Sequence, residues 1–125
     1  MYKTIVDNTP LIKVTSAKHE ANYAVNGSLM NPLEAFYASL AACAAVYAKK
    51  ACKELGIQAG GIAIDCKPFS GPGGPLTLAR FRSEVSFPAE FTAEQKATIL
   101  ESIAHCAVKE IVIDGANIDF QVTEA

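Results

Sequence analysis

The sequence has few of the residues from which metal centres are built. It has two histidines, His19 and His105, and its four cysteines, Cys43, Cys52, Cys66 and Cys106, form no C-x-x-C pair. A zinc cluster needs such ligands at close spacing, so neither a metal nor any other cofactor is expected. Blocks of basic residues are also missing and the net charge is −2, which argues against a nucleic-acid partner. The longest uncharged apolar run, Ala35 to Ala48, is shorter than the ~18 residues of a membrane span and ends at Lys49 and Lys50. Met1 to Thr4 lack the charged-then-apolar pattern of a secretory leader. The expectation is a cytoplasmic chain with no membrane partner, in a reducing compartment where fixed disulfides are uncommon.

What is present is a folded composition. Half of the residues are hydrophobic and 19% are charged, as in a globular protein with one sizeable core. With 125 residues, no internal repeat and no compositional break, the chain reads as a single domain, 1–125. Lys3 to Val6, Leu11 to Val14 and His19 to Val25 are β-prone, and the first two are separated by the turn signal Asp7-Asn8-Thr9-Pro10. They predict an N-terminal meander ending at Asn26-Gly27.

The clearest signal follows. Asn31 suits a helix cap, Pro32 the first helical position and Glu34 the positive end of the helix dipole. Gly56 supplies the stop, and Lys49, Lys50 and Lys53 sit at the favourable C-terminal end. The predicted helix of ~24 residues is about 36 Å long. From Ala35 to Val46 it is apolar or small on every face. Such a helix has to be covered all round. One sheet can cover one face, and the other needs a second layer or a second subunit.

Downstream, Ile62 to Lys67 predicts a strand, Ser70 to Pro75 a hairpin loop, and Leu76 to Phe87 a long alternating strand. The loop is no phosphate cradle, because its prolines lack amide donors and no Lys-Ser/Thr follows. Thr92-Ala93-Glu94-Gln95 matches a capping box that opens a second helix. His105-Cys106 breaks it, Ala107 to Val112 predicts a short third helix, and Ile118, Phe120 and Val122 alternate as a closing strand. The fold class is α+β.

The chemistry on offer is that of free thiols. On composition alone Cys43 is a small core residue among alanines. Cys52, nine residues later at about 100° per residue, lies on the opposite side of the helix and cannot partner it there. Cys66 sits in a strand, and both are expected to be structural. Cys106 precedes the third helix, whose free amides and dipole would favour a thiolate. A buried Cys43 would need a cation or several donors to ionise. The candidates are Lys18, His19, Arg80, Arg82 and His105.

The run Asn31-Pro32-Leu33-Glu34-Ala35-Phe36-Tyr37-Ala38-Ser39-Leu40-Ala41-Ala42-Cys43 resembles the central-helix signature of the OsmC/Ohr family of osmotically inducible and organic-hydroperoxide-resistance proteins. Cys106-Ala107-Val108 resembles its second motif, a cysteine commonly followed by proline. The Pro-x-Glu form is closer to the less characterised OsmC-like branch than to the organic-hydroperoxide branch. The resemblance implies an intertwined homodimer in which antiparallel sheets wrap the long central helices. It also implies a thiol-dependent hydroperoxide reductase in oxidative-stress defence. Cys43 would be the peroxidatic thiolate and Cys106 the resolving cysteine, with Glu34 in the site, a small hydroperoxide as substrate and an external dithiol as reductant.

The chain departs from the family pattern at three points. The family's peroxidase branches use an arginine from the N-terminal strands, but here no arginine occurs before Arg80; Lys18 or His19 lies in the plausible region, and neither has arginine's planar fork. Leu33 occupies the place of the glutamate of the Asn-Pro-Glu form, and Ala107 that of the proline after the second cysteine. These departures keep two other readings in view. One is a non-catalytic dimer with the same fold that binds a small apolar ligand or senses redox state. The other is a structural role with four inert cysteines.

Overall fold

A computed structural model describes residues 1–123. Its elements run β1 (Lys3–Thr4), β2 (Leu11–Thr15), β3 (Glu20–Ala24), α1 (Pro32–Leu55), β4 (Ala63–Phe69), β5 (Arg80–Ser86), α2 (Ala93–Ala104) and α3 (Ala107–Asp114). This is the expected α+β class, with two antiparallel sheets, β1-β2-β3 and β4-β5. The chain forms two compact units, 1–39 and 40–125. No described helix is long and apolar enough to cross a membrane.

In the first unit the meander is held by its turns. The Asp7 carboxylate accepts from the Thr9 amide at 2.9 Å and the Thr9 hydroxyl at 2.7 Å, an Asx turn that reverses the chain and holds the Asp7 carboxyl below its ordinary pKa. Strand β2 pairs with β3 from Leu11↔Ala24 to Thr15↔Glu20. Between them the His19 amide donates to the Ser16 hydroxyl at 3.1 Å.

Helix α1 starts and stops where its residues dictate. The Glu34 amide donates to Asn31 Oδ1 at 2.9 Å, and the Asn31 amide donates back to Glu34 Oε1 at 3.4 Å. Two otherwise orphaned amides are thereby satisfied. At the other end Gly56 has φ +70°. Its amide reaches the Lys53 carbonyl at 3.2 Å and the Ile57 amide reaches Cys52 at 3.0 Å, a Schellman stop that favours glycine at the left-handed position.

The core of the second unit lies on the C-terminal half of this helix. Ala48, Ala51 and Cys52 pack with Phe91 and Ile99, and Ile57, Ile62, Ile64, Phe87 and Ile103 surround them. The small helix residues let the neighbouring segments approach closely. The Thr92 capping box opens α2 as expected, with Gln95 N donating to Thr92 Oγ1 at 3.1 Å and Thr92 N to Gln95 Oε1 at 2.9 Å. The Ser102 hydroxyl then donates to the Tyr47 carbonyl at 3.1 Å and ties α2 to α1.

Two expected strands are corrected. The long strand from Leu76 begins only at Arg80, because Thr77 Oγ1 closes the glycine loop by donating to the Gly74 carbonyl at 2.6 Å and accepting from the Gly71 amide at 2.8 Å. Leu76 is left exposed. The closing strand is absent, and Ile118, Phe120 and Val122 lie outside any element, at 76%, 94% and 96% exposure. Alternation marks an apolar face, but a strand also needs a hydrogen-bonding neighbour, and within the described chain none pairs with this segment.

Ile99 is fully buried. Ile99→Ala is expected to cost about 3 kcal/mol of unfolding free energy in denaturant titration. Leu100→Ala, at a half-exposed position one residue away, is expected to cost less than about 1 kcal/mol.

Candidate functional site

Cys43 and Cys106 come from two elements of the second unit. Cys43 lies in α1, between Leu40 and Ala44, which are both buried. Cys106 is the N-cap of α3, extended at φ −63° and ψ 142°. It is held there by its own amide, which donates to the Ile103 carbonyl at 3.1 Å, while its carbonyl accepts from the Glu110 amide at 3.1 Å. The two side chains meet, and the Cys106 thiol makes a hydrogen bond with Cys43. Both cysteines are free; Cys43 is half-buried and Cys106 is 3% exposed.

A cleft of about 490 Å³ opens beside Cys106. Its walls are mostly apolar, with Leu40, Phe81, Ile103 and Val112 prominent, and its two cationic side chains are Arg80 and Lys109. Arg80 also lies over the Phe69 ring at 5.2 Å. Lys109 Nζ is 3.5 Å from Glu110 Oε1, and His105 Nδ1 is 3.7 Å from the same oxygen.

The electrostatics of Cys106 differ from the expectation. The start of a helix was expected to favour its thiolate, yet its pKa is raised. Burial is the largest cause, because it removes the water that would solvate the anion. The Lys109 amide and ammonium act in the opposite direction and do not outweigh it, and the sulfur completes no side-chain cap hydrogen bond. The hydrogen bond to Cys43 favours the protonated form, and negative charge on Cys43 opposes a second charge on Cys106.

The other expected residues lie as follows. Glu34 is in the first unit and its carboxylate caps the start of α1. Lys18 and His19 are exposed at the β2–β3 turn of that unit. Arg82 pairs with Glu84 at 3.6 Å on β5. Cys52 is 1% exposed in the core, where burial raises its pKa, and Cys66 meets the Ser83 hydroxyl at 3.3 Å, as structural cysteines should. Lys109 was not among the expected cations. Its position three residues after a helix-capping cysteine is the signal that points to it.

The family model for OsmC-like proteins matches residues 25–122. The chain belongs to the OsmC-like family. Among solved structures it is similar to a putative osmotic stress induced and detoxification response protein from Psychrobacter arcticus, at 14% identity and TM-score 0.73, over 87% of this chain and 85% of that one. It is equally similar to an OsmC like protein from Mycoplasma pneumoniae, at 12% identity and TM-score 0.73, over 90% and 86% of the two chains. At these identities the likeness is one of fold. No curated protein matches the sequence.

In this OsmC-like protein a raised pKa keeps Cys106 protonated at neutral pH. Peptide-resolved alkylation with iodoacetamide is expected to be slower for Cys106 in the folded protein than in the urea-unfolded chain at pH 7. The folded rate should climb as pH rises through the alkaline side of the ordinary thiol range. Equal folded and unfolded rates at pH 7 would contradict the burial argument.

Proposed function

We propose that this chain is a thiol-dependent hydroperoxide reductase of oxidative-stress defence, with Cys43 as the attacking sulfur and Cys106 as the resolving one. The observation that carries the reading is the contact of Cys43 with Cys106, which lines an apolar cleft. Membership of the OsmC-like family fits it. That match crosses both compact units, which supports treating the chain as one domain.

The steps follow from thiol chemistry. The Cys43 thiolate attacks one oxygen of a hydroperoxide, the O–O bond breaks, and the alkoxide leaves and takes a proton to become the alcohol. Cys43 becomes a sulfenic acid. The Cys106 sulfur then attacks the Cys43 sulfur and the S–O bond breaks. Hydroxide leaves as water with the Cys106 proton, and a Cys43–Cys106 disulfide remains. An external dithiol reduces it by exchange. The apolar walls of the cleft that Cys106 lines suit an organic hydroperoxide.

The active form in this reading is a homodimer in the cytoplasm. Val46 on α1 is 52% exposed, and Ile118, Phe120 and Val122 lie bare at the end of the described chain. Apolar residues spread in this way are what a second copy would cover. Glu34 would serve by fixing the start of the helix that carries Cys43.

A second reading, a binder of small apolar ligands, is favoured by the size of the cleft and by the protonated state of Cys106. Consumption of an organic hydroperoxide with dithiothreitol as reductant separates the two. Cys43→Ser is expected to reduce turnover to the uncatalysed background. Cys106→Ser is expected to keep the first reaction with peroxide and to leave a trappable sulfenic acid. Turnover by Cys43→Ser equal to wild type would remove the peroxidase reading.

A further inference from the structure

We propose that Lys109 is the positioning residue that times the resolving step, holding the negative charge that comes onto the Cys106 sulfur after Cys43 has been oxidised. The proposal rests on the reading of Cys43 and Cys106 as a redox pair. It starts from placement. Cys106 caps α3, and Lys109 sits in the first turn of that helix, so both side chains face the same cleft. Lys109 is one of two cations lining that cleft. The other, Arg80, is stacked on Phe69. The Lys109 side chain is 42% exposed, and its ammonium is held at 3.5 Å by Glu110, whose same oxygen also faces His105.

The timing comes from which charges change during the reaction. In the reduced pair, the hydrogen bond to Cys43 and any negative charge on Cys43 both favour the protonated form of Cys106, which keeps the resolving sulfur unreactive. Attack on the hydroperoxide converts Cys43 into a neutral sulfenic acid. The opposing charge is then gone, whereas the Lys109 ammonium remains. The balance moves toward the Cys106 thiolate at the moment when it has a target.

The same cation acts in the return step. When one thiolate of the external dithiol attacks the Cys43 sulfur, the Cys43–Cys106 bond breaks and its electron pair goes to Cys106. The second thiol of the reductant then attacks its partner sulfur in the mixed disulfide, gives up its proton and releases Cys43. A thiolate of lower pKa leaves faster, so Lys109 favours attack at Cys43 with departure of Cys106.

The test compares wild type, Lys109→Met and Lys109→Arg. Its first readout is the pH midpoint of Cys106 alkylation. Its second is the yield of dimedone-trapped Cys43 sulfenic acid after one equivalent of cumene hydroperoxide. Lys109→Met is expected to raise the midpoint by about half a pH unit, which is roughly threefold in thiolate fraction, and to increase the trapped sulfenic acid to a similar extent. Lys109→Arg should restore both, which loss of packing alone would not do. An unchanged midpoint in Lys109→Met overturns the proposal, as does a shift that arginine fails to reverse. If Cys106→Ser yields no trapped sulfenic acid, the redox reading fails by itself, and the alkylation midpoint still decides whether Lys109 acts on Cys106.

Discussion

Close approach to a helix of small residues is the constraint from which the rest of the second unit follows. Ala44, Ala48, Ala51 and Cys52 are nearly fully buried along α1. They contribute little side-chain volume, so their value lies in letting other segments come close. Phe91 and Ile99 fill the space they leave, and the Ser102 hydroxyl reaches a helix carbonyl at Tyr47. A larger residue at Ala48 or Ala51 would crowd Phe91 and Ile99 in this core.

That packing imposes an electrostatic cost at the site. Burial brings the sulfurs together and also removes the water that would solvate a thiolate. The start of α3 and the Lys109 ammonium offset part of this, but Cys106 remains harder to ionise than a free thiol. In the proposed role of Cys106 as the resolving cysteine this would be an advantage. A sulfur that stays protonated until its partner is oxidised is protected from premature oxidation, since thiolates and not thiols are the reactive species.

Much of the secondary structure was legible because local signals agreed. Asn31, Pro32, Glu34 and Gly56 bound a helix whose observed limits, Pro32–Leu55, match the expectation. The Thr92–Gln95 capping box and the break at His105-Cys106 were equally local. The misread segments were those whose state depends on distant partners. Leu76 to Ala79 continue an alternating pattern but belong to a loop closed by Thr77. Ile118 to Val122 have the alternation of a strand and no neighbour within the described chain to pair with.

For the site, the sequence alone determined that Cys43 and Cys52 point to opposite sides of one helix, because helical periodicity is local, and that Cys106 stands at the start of another. The motifs around Cys43 and Cys106 also carried the likeness to the OsmC-like family, to which the chain belongs. Only the tertiary structure decided that the Cys106 thiol meets Cys43, that burial overrides the helix start, and that Lys109 and Arg80 are the cations of the cleft. Each of these depends on solvent exclusion and on distances between segments remote in the chain. Desolvation and charge–charge energies are set by those distances, and sequence spacing does not encode them.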